Sequence, residues 1–187
     1  MTPMLAAEQA MRHFEPQAPP RHSSGSGGGY VFLIPAAAYL VGGAVFFRWQ
    51  LFSGFDLLSG NSGDTRFIIA IHEHLFQVLH GRGTLLSPPF FYDTPGTLGY
   101  SDAFILNEAL YAPLRLLGAE PFLALELAPM LLSAPAYLFT FLFLRRFAGV
   151  ATAGALLFTF PNNLYVKSGQ VQHFVAYYLP IVLYCAT

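Results

Sequence analysis

The chain has 187 residues, of which 55% are hydrophobic and 10% charged, against roughly 25% charged in an ordinary soluble domain. That balance excludes a plain soluble globule, and a net charge of −1 excludes the basic field that a nucleic-acid partner requires. The one cysteine, Cys185, lies in an apolar run and excludes both a disulfide framework and a cysteine-built zinc site.

Residues 1–29 carry Arg12, Arg21, several prolines and the run SSGSGGG, too few apolar side chains to offset the entropy of ordering. A disordered cytoplasmic tail is expected there. The first apolar stretch starts at Tyr30 and runs to Arg48-Trp49. Lacking a small-residue cleavage site, it reads as a retained membrane helix and not as a signal peptide. A bilayer core needs about 20 apolar residues of helix, and four stretches serve as expected spans: 30–48, 121–144, 148–166 and 174–187. The second holds Glu126 near its start, with Pro129 and Pro135 further in. Membrane helices tolerate such prolines where neighbours satisfy the freed backbone, and an acid at that depth is by default a functional candidate. The last stretch meets Thr187 without a charged residue to mark an exit, so the chain reads as truncated, the front end of a longer protein.

Arg12, Arg21, Arg145 and Arg146 fall on one side of these spans and Lys167 on the other. The positive-inside rule then puts the N-terminus and the Arg145-Arg146 turn in the cytoplasm. The expected fold is an all-α polytopic protein of the plasma (inner) membrane, with residues 49–120 forming a long extracytoplasmic loop. Seven of the ten acids gather in that loop: Asp56, Asp64, Glu73, Asp93, Asp102, Glu108 and Glu120.

Within the loop, Arg66, Ala70, Glu73, Gln77 and His80 recur at helical spacing, while Phe67, Ile68, Ile71, Leu75, Val78 and Leu79 face away from them. This predicts an amphipathic helix in the membrane interface over 64–80, opened by Gly60-Asn61-Ser62-Gly63 and closed by Gly81 and Gly83. A second surface helix is expected over 102–117, too short and too polar to span. Between them, SPPFFYDTPGTLGY at 87–100 specifies turns.

Asp64 reads as an N-cap whose carboxylate bonds free amides of the first turn, or as a base held at the membrane surface. Arg66 is a solvated charge or a guanidinium for a donor phosphate. His72-Glu73-His74 suggests zinc, but the helical peptidase pattern needs a second His four residues on, where Phe76 stands. His72 reads as a packed, hydrogen-bonded side chain. Asp93 and Asp102 flank the Pro-Gly turn, as turn or cap residues or as further oxygen ligands should a divalent cation take part. Lys167 and His173 bracket the outer end of the last two spans, as anchors or as lining of the pocket around Asp64.

The order of these pieces resembles the N-terminal part of the GT-C membrane glycosyltransferases. The pieces are a tail, a span, an outer loop with Gly63-Asp64 before an amphipathic helix, a proline-rich aromatic stretch, a surface helix ending PLRLLG at 113–118, and a span ending Arg145-Arg146-Phe147. Protein mannosyltransferases and aminoarabinose transferases are among that family, and the likeness covers about residues 30–187. It implies sugar transfer from a polyprenyl-phosphate-sugar donor, held with its lipid in the membrane, to an acceptor at the outer face. It implies Asp64 as catalytic base, with Arg66, Asp93, Asp102, Lys167 and His173 toward the substrates. Neither a cofactor nor a metal site is specified, and a divalent cation is left open. The competing reading is a polytopic transporter or lipid-handling protein, whose polar residues would lie at mid-bilayer; here only Glu126 among the acids enters a span.

Overall fold

A computed structural model of the chain describes residues 30–187 except 58–59, 61, 91–93, 101–103, 148 and 167–169. The expected tail at 1–29, and the candidates Asp93, Asp102 and Lys167, lie outside the described residues. Contacts divide the chain into Met1–Val31 and Phe32–Thr187, and all packing reported below is within the second unit.

The described residues are all-α, without a strand beyond an isolated bridge between Thr84 and Ser87. The order is α1 (Tyr30–Phe46), α2 (Arg48–Phe52), α3 (Ser62–Leu79), a 3-10 turn (Thr97–Tyr100), α4 (Ile105–Leu116), α5 (Pro121–Leu144), α6 (Ala151–Thr159), α7 (Asn162–Val166), a 3-10 helix (Val171–Tyr177) and α8 (Tyr178–Cys185).

Helix α5 organises the rest, touching α4, α6, α8 and the second 3-10 helix. Glu120 is extended and Pro121 takes the first helical position, where a missing N–H costs nothing and φ is already set. Its 24 residues rise about 36 Å. Among the described residues it is the one helix long and apolar enough to cross a membrane.

The other expected spans differ from expectation for local reasons. The 148–166 stretch is two short helices, α6 and α7, parted at Phe160 and Pro161. Proline lacks the N–H that continues a helix and pushes its predecessor out of the α region, and Phe160 indeed sits at φ −121°, ψ 50°. Residues 171–177 wind as a 3-10 helix before α8 begins. There Pro180 cannot bond the Ala176 carbonyl, which removes one rung of an α-helical ladder where the 3-10 helix gives way to α8.

The main core gathers Phe46 and Phe47 from the end of α1, Ile68, Ile71 and Leu75 of α3, Tyr111 of α4, Ala124, Leu125, Leu132 and Ala136 of α5, and Phe174 and Tyr177. Helix α3 thus turns Ile68, Ile71 and Leu75 of its apolar arc onto protein, while Phe67 and Leu79 stay exposed. Between α1 and α5 the polar groups pair in the apolar layer: Tyr137 Oη donates to the Pro35 carbonyl at 2.9 Å, and Tyr39 Oη lies 2.9 Å from Ser133 Oγ, which donates to Met130 O at 2.6 Å. Such pairing removes the penalty of a buried unsatisfied group.

Gly42 lets α1 approach α6 and the Phe160 corner. A Cβ there would stand 2.9 Å from both Leu156 Cδ2 and Phe160 Cδ2, and the Phe160 ring is hemmed in by Tyr39, Phe46 and Phe47. We predict that Gly42→Ala lowers unfolding stability in detergent by about 1–3 kcal/mol. Gly154→Ala meets only the flexible Leu144 Cδ1, at 2.5 Å, and loses less than about 1 kcal/mol. Equal losses would show that the Phe160 corner yields as easily as a leucine tip.

Candidate functional site

The candidate site is built on the facing surfaces of α3 and α4. Helix α3 is closed by Gly81 and Gly83, at φ +74° and +86°, as the sequence predicts. Gly118 at φ +91° ends α4, with its N–H on Arg115 O at 3.0 Å, the left-handed stop that favours glycine.

Successive helical residues turn by about 100°, so His72, Glu73 and His74 fan out toward three different partners. His72 Nδ1 donates to Glu108 Oε2 at 2.7 Å. Glu73 Oε1 accepts from Tyr111 Oη and from Arg115 Nε, each at 2.6 Å, and its Oε2 accepts from Arg115 Nη2 at 3.2 Å. His74 Nε2 donates to Thr84 O at 3.0 Å. The zinc-like triplet is therefore spent on structure, and no group of three His, Cys, Asp or Glu among the described residues could hold a metal.

The partners on α4 share one stripe, because Glu108, Tyr111 and Arg115 are three and then four residues apart. The His72 ring stacks on Tyr111 at 4.7 Å and lies 5.6 Å from Phe104. Phe104 caps α4 in the left-handed region at φ 49°, a strained conformation for a bulky residue. Arg115 continues the chain of contacts: Nη1 donates to Ala119 O just ahead of α5, and the guanidinium lies 5.5 Å from the Phe76 ring. Helix α4 is thus no surface helix on this side, since Glu108 is 6% exposed and His72 1%.

The two ion pairs differ in electrostatic character. Burial pushes the Glu73 carboxyl up, but the hydrogen bonds from Arg115 and Tyr111 and the Arg115 charge outweigh it, and the group rests below its ordinary value. Burial of Glu108 is only partly offset by His72, so its carboxyl rests above its ordinary value. Burial, and then the bond to Glu73, push the Tyr111 phenol up, which keeps it a donor. His72 Nε2 and Glu108 Oε1 are buried without hydrogen-bond partners among the described residues. His72 borders a cavity of about 10 Å³, too small for anything beyond one water molecule. This pair is a structural clamp with no room for a substrate.

Room for one exists on the other flank of α3. A groove of about 520 Å³ runs between α3 and the 82–90 segment, lined among others by Glu73, His74, Gln77, Arg82, Ser87 and Phe90. Arg82 Nη1 donates to Gln77 Oε1 at 3.3 Å, and Phe90 is set edge-on to Phe67 and His74. The volume is typical of small-molecule sites, with a few polar groups set against a mainly apolar lining.

Asp64 lies in the first turn of α3, exposed. The helix begins at Ser62, so Asp64 is not the N-cap but a first-turn acid, favoured there by the helix dipole. Arg66 is also exposed. Two residues apart on one helix, the two project to different sides, and Arg66 shares the stripe of the groove residues Ala70, Glu73 and Gln77. His173 sits in the second 3-10 helix, where Nε2 donates to Gln170 Oε1 at 2.9 Å. Glu126 is buried on α5. Reading by single residue missed the clamp; the 108, 111, 115 spacing facing His72-Glu73 was its one visible signal.

Arg115→Ala and Glu73→Gln should each cost about 1–3 kcal/mol at neutral pH, with strong non-additivity in the double variant. Glu73, with its folded pKa lowered, contributes stability that is lost as pH falls through the folded value. Glu108, with its folded pKa raised, contributes only below the ordinary carboxylate range and loses it as pH rises. Urea midpoints measured from acid to neutral pH should therefore show Glu73→Gln growing costlier, and Glu108→Gln growing relatively more favourable, as pH increases. Parallel slopes would refute the opposed environments.

No protein-family model matches this chain, and no curated protein or solved structure shows significant similarity to it.

Proposed function

We propose that the chain belongs to an integral-membrane glycosyltransferase of GT-C type, moving a sugar from a polyprenyl-phosphate donor to an acceptor at the extracytoplasmic face. The observation that carries the reading is Asp64, an exposed carboxylate on a helix that the Glu73–Arg115 and His72–Glu108 contacts hold rigidly on α4. The order of sequence pieces from the tail to Arg145-Arg146 supports it, as does α5, which is long enough to span. The groove lined by Glu73, Gln77, Arg82 and Phe90 supports it further, as room for a sugar with a few polar groups at its wall.

In this reading Asp64 removes the proton from an acceptor hydroxyl as that oxygen attacks the anomeric carbon. The bond from that carbon to the phosphate oxygen breaks, and the polyprenyl phosphate leaves with the electron pair and its negative charge. A cation on the Asp64 side of the site steadies that charge as it develops, while Arg66, on the groove side of α3, serves substrate binding. The donor's lipid stays in the bilayer while its sugar is presented to the outer loop.

In proteoliposomes supplied with a polyprenyl-phosphate sugar and a lipid or glycan acceptor, Asp64→Asn should cut transfer by about 10²–10⁴-fold, with Asp64→Glu retaining part of it. Arg66→Gln should raise KM more than it lowers kcat, because Arg66 lies on the groove side of α3 and acts on substrate binding. Unchanged transfer by Asp64→Asn would dismiss the base assignment. Sugar crossing the membrane without a new glycosidic bond would favour the transporter.

A further inference from the structure

We infer that Arg48, Trp49 and Tyr165 form a binding site for the phosphate headgroup of a membrane lipid. The inference rests on the membrane reading above but not on its transfer chemistry.

Arg48 stands where α1 hands over to α2. Its Nη1 donates to Val45 O at 3.0 Å, and its Nη2 donates to Tyr165 Oη. Its guanidinium lies 4.8 Å from the Tyr165 ring centroid and 5.2 Å from that of Trp49. Trp49 Nε1 donates to the same Tyr165 oxygen at 3.0 Å. The cation is therefore held in one orientation by two hydrogen bonds and two rings.

What this arrangement lacks is an anion. Arg115, also partly buried, is neutralised by Glu73 at 2.6 Å, whereas Arg48 pairs with no carboxylate among the described residues. A guanidinium carries five N–H donors, and two are used. Tyr165 Oη accepts from two donors at once, and its own hydrogen has no acceptor among the described residues. The site thus offers three N–H groups and one O–H around a fixed positive charge, a donor surplus that phosphate oxygens match in forked geometry.

The surroundings point to a lipid instead of a free ion. Leu40, Val41 and Val45 of α1 are 68%, 66% and 59% exposed, and beside the cation Trp49 is 55% and Phe52 86% exposed. An apolar track therefore runs along α1 to the phosphate position. Tryptophan and tyrosine at such a boundary sit at headgroup level. The same chemistry serves a prenyl-phosphate carrier or a bilayer phospholipid.

Trp49 is the sole tryptophan beside ten tyrosines, so fluorescence excited selectively at tryptophan reports this site alone. The full chain in uncharged detergent should show a saturable emission change on titration with farnesyl phosphate. Arg48→Gln should weaken the apparent affinity by about tenfold or more, Arg48→Lys should restore part of it, and Tyr165→Phe should weaken it a few-fold. Should Arg48→Gln lose the helical circular dichroism of the parent, Arg48→Lys and Tyr165→Phe carry the comparison. Farnesol titrating like farnesyl phosphate, or affinity unmoved by the Arg48 variants, overturns the site. Inorganic phosphate binding as tightly as farnesyl phosphate overturns the lipid assignment. Lysophosphatidate matching farnesyl phosphate supports a phospholipid source, and a preference for the prenyl chain supports the carrier. Because the titration reads binding with neither a sugar nor an acceptor present, loss of transfer and loss of binding fail separately.

Discussion

In a chain with so few charges, the arrangement of the loop depends on how α3 and α4 dispose of theirs. Burying an unpaired carboxylate or guanidinium costs several kcal/mol, so Glu73, Glu108 and Arg115 cannot face the interior of this bundle singly. They are matched across one interface, with His72 and Tyr111 completing the set. The match sets the register of the two helices. Slipping α4 by one residue would swing Glu108 and Arg115 off the shared stripe and leave His72 and Glu73 facing apolar side chains. Arg115 then ties the pair to Ala119 at the start of α5, the helix on which the rest of the bundle packs.

The two halves of this clamp do different physical work. The Arg115–Glu73 pair is partly exposed and supported by a phenol, a forked geometry that favours ionisation and stability. The His72–Glu108 pair is buried, leaves one atom on each partner unsatisfied, and spends most of its attraction on desolvation. Its contribution lies in specifying one packing of α3 on α4. Glu73 also lines the groove, so the residue that braces the frame borders the space where a ligand would lie, and a change in one is felt in the other.

Much of the secondary structure was legible. Tyr30 and the long apolar run at 121–144 gave helices with nearly the expected bounds, Gly81 and Gly83 marked the stop of α3, and the proline-rich 87–100 segment holds only turns and one short 3-10 element among its described residues. The 148–166 and 174–187 stretches were less legible, since hydropathy registers apolar length and is blind both to the break at Pro161 and to the 3-10 winding ahead of α8. The candidate site was read mostly through isolated residues. Asp64 and Arg66 are where a helix start would put them, but nothing local foretold that His72, Glu73 and His74 would each take a separate partner on other segments.

Local sequence was enough for the all-α class of the described residues: apolar runs and glycine stops depend on local propensity and the period of the helix, which travel with the chain. Only the tertiary structure decided what the polar residues are for. Whether a glutamate at 108 faces water or a histidine, and whether an arginine at 48 meets a carboxylate or two aromatic rings, is settled by segments 36 and 117 residues away. Such pairings follow from the cost of burying charge in a particular packing, and no window along the chain contains both partners.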